Sequence, residues 1–178
     1  SVDPVFDPKA PLNNRDPRLE MTICRPGDPI SENRYFAPSG SNVSGMKLKK
    51  GAEYTETIPA AQISHNNIML IRYADVLLMK SEAKVRDGRD GDEELNQVRA
   101  RVGVPERVAT LENLLAERQL ELAWEGWRRQ DLIRFGQFTR TYSSRPQLPD
   151  EENGYTTVFP IPEKIRQMNP GWEQHPGY

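Results

Sequence analysis

The run NIMLIRYADVLLMKSEAKV, residues 67–85, is too long and too apolar to be a strand. Its apolar residues keep helical spacing, with Leu70, Tyr73, Ala74 and Leu77 leading to Ser81 on one face. A helix is therefore expected from Ile68 to Val85, capped by Asn66 or Asn67 and stopped by Gly88 and Gly91. Being apolar on most sides in its first half, it should lie buried between neighbours. Arg72, Asp75 and Lys80 interrupt the run well short of the ~20 apolar residues that a bilayer span needs.

Outward from this run, three more helices are expected. Asp90 or Asp92 can cap a short one through Val102, with Leu95, Val98 and Val102 as its stripe and Gly103 as its stop. Thr110 caps another, carrying Leu111, Leu114, Leu115, Leu122 and Trp124, which Gly126 ends or kinks. The last runs from Arg128 to Phe135, burying Leu132, Ile133 and Phe135, and stops at Gly136. Helices joined by tight turns predict a mainly α fold of antiparallel pairs in a tetratricopeptide-like stack, with long irregular loops and a few short strands.

The flanks read differently. Residues 1–66 hold eight of the fifteen prolines and form a loop-rich segment. Within it RLEMTIC (18–24) alternates like a short strand. Residues 67–141 are the helical core, and 142–178 form a tail expected to wrap over it. That tail has one short strand at Tyr155–Phe159 and a helical turn opened by Pro162. The whole reads as a single region of 178 residues. A net charge of −2 favours neither nucleic acid nor an anionic membrane. The mean hydropathy of −0.76 predicts a modest core, completed by another chain or by residues absent here.

Several residue sets invite chemistry. Glu117, Glu121 and Glu125 recur at four-residue steps on one helical face. A metal column of this kind also needs Glu-x-x-His pairs, and the only histidines, His65 and His175, lie in loops. Ion pairing with the many nearby arginines is the better reading. Arg72 and Asp75, inside a buried run, should each meet a partner on a facing helix. Trp124 reads as core, Trp127 as ambiguous and Trp172 as a tail anchor, while Cys24 reads as a small buried hydrophobe. No phosphate loop, HExxH or GxSxG occurs, so no enzyme, metal or cofactor signature is present.

Four stretches in order, DPRLEMTI (16–23), LIRYADVLLMKSEA (70–83) with ELNQVRARVGV (94–104), ERQLELAWEGWRRQDLIRFG (117–136) and FPIPEKIRQMNPGWEQHPGY (159–178), resemble the C-terminal part of the SusD/RagB family. The resemblance implies a C-terminal fragment of a larger helical fold. It also implies a protein lipid-anchored to the outer membrane through an N-terminal part not in this chain and facing the medium. Such a protein binds oligosaccharide, or another nutrient, without catalysis and delivers it to a SusC-like TonB-dependent transporter. Glu125, Gly126, Arg128 and Asp131 then become, with Arg72 and Asp75, a structural turn-and-salt-bridge device. The loop aromatics Tyr35, Phe36 and Tyr54 are the candidate glycan contacts. A helical-repeat adaptor that binds protein and not sugar, and a carbohydrate hydrolase, are the competing readings.

Overall fold

A computed structural model describes residues 10, 12–31, 34–35, 46–50, 69–141 and 146–178. It is mainly helical and falls into two compact units, Ser1–Gly126 and Trp127–Tyr178.

The first unit opens on α1 (Arg18–Thr22) and β1 (Ile23–Cys24). The strand expected over residues 18–24 is thus mostly a helical turn. Asp16 Oδ1 accepts the Arg18 N–H at 3.0 Å, and Pro17 holds φ at −55°, which together start a helix. Arg18 and Thr22, at i and i+4, are buried, whereas Met21, expected on the inner face of a strand, is exposed. Cys24 is fully buried. β1 pairs antiparallel with β4 (Lys47–Leu48), and β2 (Pro29–Ser31) with β3 (Arg34–Tyr35).

The helical core is α2 (Tyr73–Arg86), α3 (Asp92–Ala100) and α4 (Leu111–Glu121). α2 starts five residues later than expected, at Tyr73, and the Asn66 and Asn67 caps lie outside the described residues. Its inward face is Ala74, Leu77, Leu78, Ser81 and Val85, so Leu70 and Tyr73, expected there, are instead exposed. The C-terminus of α2 closes where Gly88 turns left-handed at φ +71° and donates to the Val85 carbonyl. The next turn is held by Ser81 Oγ donating to the Gly91 carbonyl at 2.7 Å. Asp90 Oδ1 accepts the Asp92 N–H at 2.8 Å at the start of α3. Leu95, Val98 and Val102 form its buried stripe, and Gly103 follows at φ +69°.

Thr110 Oγ1 accepts the Asn113 N–H at 3.1 Å, capping α4 as its sequence predicts. Leu77, Leu78, Leu95, Val98 and Leu114 make the shared core of the three helices. Burying each of these five side chains contributes roughly 1.5–3 kcal/mol.

α4 stops before Trp124. The Glu121 carbonyl, which would accept the Glu125 N–H in a longer helix, instead accepts Arg72 Nη2 at 2.8 Å and Lys50 Nζ at 2.7 Å. Glu125 N–H turns back to the Leu122 carbonyl. Leu122 stays buried, but Trp124 swings out at φ +65° and is 73% exposed, so its expected place in the core is not where it lies. Gly126 has φ +84° with nothing within 4 Å of the place a Cβ would take. Conformation, and not a close backbone approach, asks for glycine there.

The second unit contains α5 (Arg128–Arg134), two 3₁₀ turns (Glu151–Asn153 and Tyr155–Thr157) and α6 (Glu163–Met168). Leu132, Ile133 and Phe135 are half-buried, and the inward residue of α5 is Asp131. The strand expected at Tyr155–Phe159 is a 3₁₀ turn, because Gly154 at φ +84° reverses the chain and its carbonyl accepts both Thr157 N–H and Oγ1. α6 follows Pro162 as its sequence predicts. Buried Glu151 takes the Leu148 N–H and the Thr156 hydroxyl, while Arg129 donates to the carbonyls of Thr156 and Thr157 and stacks on Phe138 and Phe159.

Candidate functional site

The densest set of chemically capable groups among the described residues is the glutamate column of α4. Spacing of four residues brings Glu117, Glu121 and Glu125 to one side of the helix and its C-terminal turn, where cations from four other segments converge. Arg18 of α1 reaches Glu117 Oε1 at 2.6 Å and Glu121 Oε2 at 3.2 Å, and its other face holds Asp16 at 2.7 Å. Arg99 of α3 takes Glu117 Oε2 at 2.5 Å. Arg101 takes Glu121 Oε2 at 3.0 Å. Arg72, at the start of α2, bonds Glu121 Oε1 at 3.0 Å and Glu125 Oε2 at 2.8 Å. Lys50 completes the set on Glu125 Oε1.

Both oxygens of all three glutamates are therefore engaged by cations. Three like charges in a column repel, and interleaved guanidinium groups remove that repulsion by directed contacts. Burial pushes the Glu121 carboxyl up, but the Arg72 hydrogen bond, the Arg101 charge and the Arg18 hydrogen bond outweigh it and hold the group below the usual carboxylate range. Asp16 is lowered in the same way, burial opposing and Arg18 prevailing. Burial alone would lower Arg72 and Arg18, yet the carboxylates around them raise both. Held in this way, Glu121 is a poor proton donor. What the column does is join α1, α2, α3 and α4.

Asp75, buried in α2, accepts from buried Arg118 of α4 at 2.8 Å. Arg72 and Asp75 thus both meet partners on α4, two side chains the sequence marks only as costly charges in an apolar run. Arg18, the most connected cation of the set, was missed. Only the helical turn at 18–22 aims it inward, and the strand reading concealed it. Asp131 pairs with Arg134 at 2.9 Å, and Arg128 is a half-buried residue of α5.

Outside this core, a polar cleft of about 320 Å³ runs along Leu12–Arg25, lined by Asn13, Asn14, Arg15, Asp16, Glu20 and Arg25 together with Leu12, Pro17 and Leu19. It has no aromatic wall on which to stack a ring. Trp172 is exposed, Trp127 half-buried, and His175 is exposed with Nδ1 near the Pro176 carbonyl. Of the candidate glycan aromatics, Tyr35 has its backbone in β3, and Phe36 and Tyr54 lie outside the described residues, as does His65.

Comparison with known proteins supplies what the site does not. The family model for the SusD family matches residues 6–178. The starch-binding protein SusD of Bacteroides thetaiotaomicron is 30% identical over 144 residues, 75% of this chain and 26% of that protein. A SusD-like protein of Formosa agariphila is 32% identical over 120 residues, 57% of this chain and 23% of its own. The chain thus spans about a quarter of the length of these curated relatives. Among solved structures, surface glycan-binding protein A from Bacteroides thetaiotaomicron superposes with a TM-score of 0.72 at 26% identity, over 93% of this chain and 39% of that one. A second structure of that protein, in complex with laminarihexaose, superposes with a TM-score of 0.67 over 90% of this chain and 38% of that one. The two Bacteroides thetaiotaomicron relatives are binding proteins by name, and the architecture is the helical, tetratricopeptide-like stack expected from the sequence. With a family match across nearly its whole length, this chain belongs to the SusD family.

Proposed function

We propose that this chain is the C-terminal region of a surface glycan-binding protein that captures oligosaccharide without cleaving it. On this reading the complete protein is lipid-anchored at the extracellular face of the outer membrane and passes its ligand to a SusC-like TonB-dependent transporter. The observation that carries the reading is the family match over residues 6–178, joined to relatives named for binding starch and surface glycans. The chemistry of the core favours binding over reaction. Two-carboxylate glycoside hydrolysis needs one protonated carboxyl and one available carboxylate flanking the substrate, and the α4 glutamates are instead buried among guanidinium groups. Arg72, Asp75, Glu125, Gly126, Arg128 and Asp131 hold the scaffold, and Tyr35, Phe36 and Tyr54 are our candidate stacking residues for the ligand.

Affinity electrophoresis of the complete gene product through gels containing starch or other glucans tests this. Migration is expected to slow in at least one gel, with laminarihexaose or a maltooligosaccharide restoring it and no reducing ends released. Unchanged mobility across the glycan panel overturns the ligand class, and release of reducing ends overturns the absence of catalysis.

A further inference from the structure

Asn153–Gly154 is the only Asn–Gly step in the chain, and it has no part in the ion network. Such a step can modify itself without an enzyme. The Gly154 backbone nitrogen attacks Cγ of the Asn153 side chain; a C–N bond forms, that nitrogen gives up its proton and the side-chain amide leaves as ammonia. Glycine, with no Cβ, presents the least hindered attacking nitrogen. The five-membered succinimide then takes up one water, which opens one of its two carbonyls to give aspartate or isoaspartate. No electrons are exchanged, and water is the one co-reactant.

The fold opposes each requirement of that attack. Asn153 ends the 3₁₀ turn Glu151–Asn153, and a helical ψ there swings the Gly154 nitrogen towards the Asn153 N–H and away from its Cβ. The Gly154 N–H, whose proton must be lost, is donated to the Glu151 carbonyl at 2.9 Å. The Asn153 amide, which must turn back on Gly154, is held past it, with Oδ1 accepting the Tyr155 N–H at 3.2 Å. Water alone is freely supplied, since Asn153 is exposed.

What closes this turn is a carboxylate. No apolar side chain of residues 148–157 is buried, whereas Glu151 is fully buried. Its Oε2 accepts the Leu148 N–H at 3.0 Å and its Oε1 the Thr156 hydroxyl at 2.7 Å, so the group ties together the chain on either side of Asn153–Gly154. Beyond it, the Gly154 carbonyl accepts Thr157 Oγ1 at 2.7 Å, and Arg129 holds the carbonyls of Thr156 and Thr157 at 3.0 Å each. A buried carboxylate is stable only with its donors in place, so losing one donor favours opening of the whole turn.

We propose that Asn153 is a deamidation site gated by the Glu151 turn, shielded while the carboxylate holds Leu148 and Thr156 and converted when the turn opens. The products suit the closed turn poorly. Isoaspartate inserts a methylene into the main chain between Glu151 and the Gly154 N–H it must meet, and aspartate adds a fourth carboxylate after Asp150, Glu151 and Glu152. Conversion is therefore a record of opening. It is independent of the ligand.

The test follows the Asn153 peptide by mass spectrometry in the complete gene product, held in mildly alkaline native buffer or in unfolding urea. Deamidation replaces NH2 with OH and shows as a mass gain, unlike isomerisation at Asp87–Gly88 or Asp90–Gly91. The peptide is expected to convert in urea and at least about a hundredfold more slowly in native buffer, where only opened molecules react. Thr156→Val removes the hydroxyl from Glu151 while keeping the side chain's shape. It should raise the native-buffer rate about tenfold or more, the factor that one hydrogen bond to a carboxylate carries in local opening, and leave the urea rate as it was. Asn153→Gln, which would need a six-membered ring, should show no gain in either buffer. Equal rates for the unsubstituted protein in the two buffers overturn the gate, and no conversion in urea overturns the site. Thr156→Val converting at the unsubstituted native rate, or a gain that persists in Asn153→Gln, overturns the proposal as well.

Discussion

Glu117 shows how this protein uses charge at the residue scale. It is fully buried, with one guanidinium on each oxygen, from Arg18 at 2.6 Å and from Arg99 at 2.5 Å. Taking such groups out of water is costly, and their attraction repays the cost only when every partner is present. Glu117→Ala removes the common partner of two buried arginines, and the loss is expected to be about 3–5 kcal/mol, read as a lower urea midpoint. A loss within about 0.5 kcal/mol, as at an exposed pair, would show that the bridge contributes little. The same scale explains why Trp124 was misread. Its neighbour Leu122 is an ordinary buried leucine, and nothing in the residue letters says that Arg72 and Lys50 end the helix between them.

At the scale of elements, some helix ends follow local rules, while helix contacts depend on a few close approaches. Thr110 and Gly103 act as a cap and a stop where the sequence places them, because capping is satisfied within a few residues. The α2–α3 turn is different. A Cβ on Gly91 would stand 2.7 Å from both the carbonyl oxygen and the hydroxyl of Ser81, so the turn closes only with glycine. Gly91→Ala is expected to cost about 1–3 kcal/mol by forcing these backbones apart. Thermal unfolding should show it as a clear fall in Tm, and an unchanged Tm would mean that the turn relaxes freely. α1 was misassigned as a strand for a comparable reason. Alternating Leu19, Met21 and Ile23 suits a half-buried strand, but the Asp16–Pro17 start and the inward pull on Arg18 favour a helical turn.

For the whole molecule, the ion network seen among the described residues makes stability depend on pH. Hydrogen bonds from Lys80 and then Lys84 draw the Glu94 carboxyl down from 4.5 to about 2, and Glu121 and Asp16 are also lowered. Carboxyls with depressed folded values favour the native state above the unfolded pKa, and that contribution is lost as pH falls through the folded value. Stability should hold near neutrality and fall steadily from about pH 5 towards pH 2. Urea titrations at stepped pH check this, and a flat profile across that window would remove the network from the stability balance. High salt should matter less, since buried pairs are screened far less than exposed ones.

What the sequence determined by itself was the class of architecture and the family: helical periodicity, caps and stops are short-range and can be read from residue types. Four motifs in order carried the resemblance. What only the tertiary structure decided was which faces are buried and which charges meet. Arginines from positions 18, 72, 99 and 101 converge on the α4 glutamates while Arg118 of α4 reaches Asp75 of α2, and these meetings are a property of packing. The exposure of Met69–Tyr73 and Trp124 likewise depends on which neighbours are present. Spacing along a chain reports local geometry, whereas burial reports the sum of contacts from segments far apart in sequence, and no local pattern contains that sum.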